Sequence, residues 1–154
     1  MKKILFLLFI PLFIYSCKKD DTVTAEEQAA IDKGIIQKYI KDHNLIADST
    51  TSGLYYVIAD SGIGTTYPNL NSYLYVYYKG YLTDGSIFDQ NTAGQPLQIF
   101  LNQTIAGWKE GIPKIKKKGK IKLLIPSALG YGSTVQTDIP ANSVLIFDVE
   151  LDNF

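Results

Sequence analysis

Val76-Tyr77-Tyr78-Lys79-Gly80-Tyr81-Leu82-Thr83-Asp84-Gly85-Ser86-Ile87-Phe88-Asp89 is the stretch that decides how this chain folds. Around its first half Leu74, Val76 and Tyr78 fall on one face and Tyr73, Tyr75 and Tyr77 on the other, the period-two pattern of a strand. The predicted strand covers residues 72–82, and Asp84-Gly85 reads as the turn that ends it. Upstream, Gly53 to Ile58 is a second strand, closed by Asp60-Ser61-Gly62-Ile63-Gly64. Downstream, residues 119–126 carry Ile121, Leu123 and Ile125 on one face, and residues 143–151 carry Leu145, Phe147, Val149 and Leu151 on one face. Between these strands the sequence predicts a short helical turn over Ile105–Ile112 and loops rich in Gly, Ser and Thr. Several strands with one short helix make an α+β domain, a curved antiparallel β-sheet wrapped around that helix.

A longer helix precedes the sheet. Thr24-Ala25-Glu26-Glu27 is a capping-box pattern, with Thr24 as N-cap and Glu27 three residues on. Ile31, Ile35 and Tyr39 then recur at helical spacing, with Ile36 and Ile40 beside them, so the predicted helix runs from Ala25 to Asp42 with its stripe against the following domain. His43 falls at its end, where an imidazolium complements the helix dipole.

The N-terminus reads as an address. Met1-Lys2-Lys3 is basic, and Ile4 to Tyr15 is an apolar run far short of the roughly 20 residues that span a bilayer. That is the signal-peptide pattern. It ends in Ile14-Tyr15-Ser16-Cys17, which resembles the lipobox of bacterial lipoproteins, in which Cys carries diacylglycerol and begins the mature chain. The organisation expected is a signal peptide over 1–16, a lipid-anchored tether over 17–23, a helical extension over 24–46 and the main domain over 47–154. A cell-envelope lipoprotein follows, held at the membrane through Cys17 on the periplasmic face or the cell surface.

Composition removes several kinds of chemistry. All 15 basic residues are lysine, so the guanidinium fork that reads phosphates and guanines is missing, and no nucleic-acid partner is expected. One cysteine forms no internal disulfide, and with a single histidine it makes no ordinary zinc site, so no metal or cofactor is expected. That histidine lies in the helical extension, which leaves no Ser-His-Asp set, and no glycine-rich loop ends in Gly-Lys-Ser/Thr. Six lysines crowd residues 114–122 but alternate in part with Ile115, Ile121 and Leu123, which reads as the solvated face of a strand.

The motifs themselves go further. Residues 76–89 resemble the FKBP signature, in which a Tyr-x-Gly strand leads through an acidic-Gly turn to Phe-Asp. Gly107-Trp108-Lys109-Glu110-Gly111 is similar to the family's Gly-Trp-x-Glu-Gly helix. Ile125-Pro126-Ser127-Ala128-Leu129-Gly130-Tyr131-Gly132 resembles its Ile-Pro-x-x-Leu-x-Tyr-Gly loop, and Ile139-Pro140 followed by Leu145–Leu151 resembles its last loop and strand. The order and spacing hold over residues 52–152, about two thirds of the chain.

The resemblance implies a peptidyl-prolyl cis/trans isomerase whose pocket is floored by Trp108. Tyr78, Phe88, Asp89, Tyr131 and Phe147 stand at its catalytic positions, and Leu97, Thr104, Ile105 and Ile139 at its substrate-binding walls. It further implies that the Ile105 N–H and the Tyr131 hydroxyl meet substrate carbonyls and that the Tyr78 hydroxyl holds Asp89. Three features depart from the family: Leu97 stands where many relatives have an aromatic, the stretch from Leu101 to Trp108 is short, and no arginine follows Asp89. Partners implied are prolyl-containing polypeptides and macrolide FKBP inhibitors, with the chain acting as a monomer. Two other readings use the same residues: a weakly catalytic binding module, and a chaperone that holds clients on residues 24–42.

Overall fold

The computed structural model describes residues 23–154, so Cys17 and the signal segment lie outside the described residues. Helix α1, Ala25–Asp42, opens on the capping box expected. The Thr24 hydroxyl accepts from the Glu27 N–H at 3.2 Å, and the Glu27 carboxylate accepts from the Thr24 N–H at 2.8 Å, so two of the helix's orphan donors are satisfied reciprocally. His43 is its C-cap, stacked on Tyr39 with ring centroids 3.8 Å apart.

The strands are β1 (Asp48–Ser49), β2 (Tyr55–Asp60), β3 (Tyr73–Tyr81), β4 (Ile87–Asn91), β5 (Leu97–Phe100), β6 (Lys120–Ile125) and β7 (Leu145–Asn153). They form one antiparallel sheet in the order β1-β2-β6-β7-β3-β4, with β5 also paired to β3. The long strand β3 thus lies between β7 on one side and β4 and β5 on the other, and it distributes the site over both. Helix α2, Ala106–Gly111, continues into a 3₁₀ turn over Ile112–Lys114. It packs on the main core, where Trp108 and Ile112 meet Leu123, Ile125, Phe147 and Val149.

Two glycines permit that approach. A Cβ at Gly107 would stand 2.6 Å from Ile125 Cγ2, and one at Gly111 would stand 2.4 Å from Leu123 Cδ2. Only the bare backbone lets the helix sit so near β6.

Three expectations need correction. The inward face of α1 is Gln28-Asp32-Ile36-Ile40 with Tyr39 beside it, and Ile31 and Ile35 fall outside it: they are 48% and 37% exposed, whereas Ile36 packs with Leu124, Val144 and Tyr55. The helix turns a carboxylate inward, and a hydrophobic pattern cannot register that. Strands β4 and β5 replace part of the expected loops; Phe88-Asp89-Gln90-Asn91 has little β-propensity of its own and takes its register from β3, Gly80 opposite Asp89. Finally, β2 and β7 each begin and end two residues later than their sequences suggest.

The Asp84-Gly85 turn forms as expected. Asp84 Oδ1 accepts from the Ser86 N–H at 2.9 Å, and Gly85 takes φ +91°. The lysine-rich segment is a strand face only at its end: Lys120 and Lys122 lie on β6 and pair across to β7, with Glu150 at 3.0 Å and Asp148 at 2.5 Å, whereas Lys114 ends the 3₁₀ turn and Lys116, Lys117 and Lys118 lie in the connection before β6, where Lys118 pairs with Asp152. Among the described residues no helix is long and apolar enough to cross a membrane.

Candidate active site

A cleft of about 490 Å³ opens between the sheet, α2 and the loops after β6, a size typical of ligand pockets. All ten residues expected at a pocket line it: Tyr78, Phe88, Asp89, Leu97, Thr104, Ile105, Trp108, Tyr131, Ile139 and Phe147. They come from several different elements. Tyr78 projects from the middle of β3, and Phe88 and Asp89 from β4 just beyond the Asp84-Gly85 turn. Phe147 lies on β7 opposite Gly80, and Trp108 is the third residue of α2, in its first turn.

Gly80 makes the aromatic cluster possible. A Cβ there would fall 2.5 Å from the Phe88 ring and 2.7 Å from the Phe147 ring. With hydrogen instead, Phe88 and Phe147 meet edge to face at 5.4 Å, Phe147 meets Trp108 at 5.3 Å, and Trp108 meets Tyr78 at 5.5 Å. Such T-shaped contacts are the favoured aromatic geometry, so the walls hold one another. Trp108 is 5% exposed, and its indole N–H is buried with no acceptor among the described residues. The indole is thus packed into the floor of the cleft with its one donor buried.

Polar groups stand at the edges. The Tyr78 hydroxyl donates to Asp89 Oδ2 at 2.7 Å. Burial first, and then the Asp89 carboxylate, push the Tyr78 phenol well above the ordinary tyrosine range, so it remains a donor at any physiological pH. Asp89 belongs to none of the ion pairs among the described residues; the position left by the missing arginine is filled by no lysine. Ile105 is the extended N-cap of α2, and its N–H donates to no acceptor among the described residues. Thr104 lies at the cleft wall although the preceding stretch is short, because its hydroxyl donates back to the Leu101 carbonyl at 2.7 Å and ties the turn. Tyr131 is 39% exposed at the rim.

Five further lining residues were not expected: Ile99, Gln103, Gln136, Thr137 and Asp138. Ile99 follows Leu97 by two on β5, so the alternation of that strand would have found it had the strand been recognised. The other four sit on turns. Gln136 and Ile139 close one of these by exchanging two backbone hydrogen bonds, at 2.9 and 3.3 Å.

An antiparallel sheet cupped around one short helix, with an indole-floored aromatic cleft at its mouth, is the architecture of FKBP domains. A family profile described as FKBP-type peptidyl-prolyl cis-trans isomerase matches residues 64–152, more than half of the chain. Among curated proteins, FkpA of Buchnera aphidicola subsp. Schizaphis graminum, named as an FKBP-type peptidyl-prolyl cis-trans isomerase, is 50% identical over 103 residues, which is 66% of this chain and 41% of that one. The crystal structure of FkpA from Escherichia coli superposes with a TM-score of 0.71 at 40% identity, covering 83% of this chain and 61% of that chain. A peptidyl-prolyl cis-trans isomerase from Pseudomonas syringae pv. tomato superposes with a TM-score of 0.70 at 26% identity, covering 86% of this chain and 96% of that chain. The chain belongs to the FKBP-type peptidyl-prolyl cis-trans isomerase family. It spans less than half the length of that first curated relative.

Proposed function

We propose that this protein catalyses cis/trans isomerisation of prolyl peptide bonds in exported polypeptides, and that lipidated Cys17 holds it at the cell envelope. Rotation about the amide C–N bond costs about 18–20 kcal/mol because resonance must be broken. In the twisted transition state the carbonyl oxygen carries less negative charge, so water stabilises the planar amide more than the twisted one. The observation that carries the reading is the cleft itself: its floor is the indole of Trp108, and Tyr78, Phe88 and Phe147 wall it. A prolyl ring seated there leaves the solvent that favours planarity. The Ile105 N–H and the Tyr131 hydroxyl, which make no hydrogen bond among the described residues, anchor flanking carbonyls while the bond turns. Neither a nucleophile nor a metal takes part.

In this mechanism Asp89 orients a dipole and transfers no proton. General acid–base catalysis contributes roughly 10²–10⁴-fold, so Asp89→Asn is expected to cost less than about tenfold in kcat/KM. The wild-type rate is expected to stay flat with pH through the carboxylate range. A carboxylate titration in kcat together with a hundredfold loss would replace orientation with proton transfer.

The decisive measurement is a prolyl-peptide isomerisation assay on a soluble form lacking residues 1–17, with and without a macrolide FKBP inhibitor. Inhibitable turnover is the expected result. The unpaired Asp89 and the aliphatic Leu97 favour a second reading, a binding module that retains affinity for prolyl segments without turnover, and the same assay separates the two. The anchor is tested by mass spectrometry of the membrane fraction: Cys17→Ser is expected to lose the acyl mass and release the protein.

A further inference from the structure

Asp32 is a carboxylate 1% exposed in the seam between α1 and the domain, and no cation lies in ion-pair reach of it among the described residues. Three donors hold it instead: Gln28 Nε2 to Oδ1 at 2.7 Å, and the Ser127 N–H and hydroxyl to Oδ2 at 2.7 and 2.6 Å. Burying a carboxylate is costly unless its hydrogen bonds are complete, and an apolar residue would glue the helix down at lower cost, as Ile36 does one turn further on. What a carboxylate adds is direction: it fixes one particular partner in one particular place.

That partner leads to the cleft. Ser127 opens the 3₁₀ turn Ser127–Leu129, and its N–H and hydroxyl are both spent on Asp32. Its carbonyl accepts from the Gly130 N–H at 2.9 Å and the Gly132 N–H at 2.8 Å, the two amides that flank Tyr131. The loop therefore has two faces: Ser127, Ala128, Gly132 and Ser133 line the groove against α1, while Tyr131 lines the cleft. Among the described residues nothing else in the loop is anchored to a helix outside the sheet by a charged group.

We infer that Asp32 is a positioning residue for the isomerase site: through Ser127, helix α1 sets the backbone that presents the Tyr131 hydroxyl to substrate. The inference rests on the isomerase reading above and goes beyond it, because it makes the N-terminal helix part of the catalytic apparatus and not an appended arm. Small displacements of a positioning group are costly out of proportion to their size, so the effect is visible in turnover.

The test is a double-mutant cycle on the full chain in detergent, assayed well below the melting temperature of every variant. Asp32→Asn and Ser127→Ala are each expected to lower kcat/KM about fivefold, and less than about twofold when placed on Tyr131→Phe, since both routes end at the same hydroxyl. Losses that multiply independently of Tyr131, or a lowered melting temperature with unchanged kcat/KM, overturn the inference. If Asp32→Asn does not fold, Ser127→Ala carries the same cycle. If the wild type has no turnover, the isomerase reading falls, and amide exchange at Gly130 and Gly132 decides the coupling alone. Faster exchange in either variant sustains it, and unchanged protection ends it.

Discussion

Helix α1 has 18 residues and buries Asp32 and Ile36; helix α2 has 6 residues and buries Gly107, Trp108 and Gly111. The longer helix is built from local rules: a capping box, an i,i+4 pair between Lys38 and Asp42, and a C-cap histidine. Six residues cannot sustain a helix that way, because nucleation costs more than one and a half turns return. Helix α2 exists because the sheet folds around it, and its two glycines and its indole are fitted to β6 and β7. The shorter helix is therefore the more demanding one, and the cleft is built on it. The proposed site lies where tertiary packing dictates conformation, and the self-sufficient helix reaches it from outside through Ser127.

The largest expected effect breaks this contrast at its centre. Trp108→Ala removes the floor side chain and leaves a cavity between Tyr78 and Phe147, so the urea midpoint should fall by the equivalent of about 3–5 kcal/mol. A loss under 1 kcal/mol would mean that the indole is not integral to the core. Next come the glycines, for which the two helices predict opposite signs. Gly111→Ala drives a Cβ into Leu123 and should destabilise by about 1–3 kcal/mol. Gly34→Ala, on α1 with nothing within 4 Å of the new methyl, should stabilise by about 0.5–1 kcal/mol because alanine is the better helix former. Equal signs for the two would end the distinction between a packed helix and an autonomous one.

The same distinction explains what the sequence made legible. The bounds of α1 follow from Thr24, Glu27 and His43, which are local signals, and they match the structure to the residue. Its orientation was not legible: the most apolar row points partly outward and Asp32 points inward, because two of the three donors that satisfy Asp32 arrive from Ser127, 95 residues away. The candidate site was legible through motifs and not through periodicity. Gly80, Phe88, Trp108 and Tyr131 belong to recognisable patterns, so all ten expected residues meet in one cleft. Gln103, Gln136, Thr137 and Asp138 lie on turns whose side chains acquire meaning only from what stands opposite. Strand β5, four residues long, is too short for its alternation to register.

The smallest effects test whether α1 owes its start to local chemistry. Thr24→Ala removes the N-cap oxygen and should cost about 1 kcal/mol. The reciprocal half of the box is charged, and pH can titrate it. The backbone N–H of Thr24 and then its hydroxyl hold the Glu27 carboxyl below the ordinary glutamate range. A carboxyl whose folded-state pKa is depressed contributes fully above its unfolded value and loses that contribution as pH falls through the folded one. The stability difference between wild type and Glu27→Gln should therefore be constant from neutral pH down to about 5, near the top of the unfolded glutamate titration, and shrink steadily below it. Glutamine keeps an acceptor at the same place, so any pH-dependent part of the difference belongs to the charge alone. A difference that does not change with pH would assign the cap to geometry without electrostatics, and α1 would then begin where it does for its backbone hydrogen bonds only.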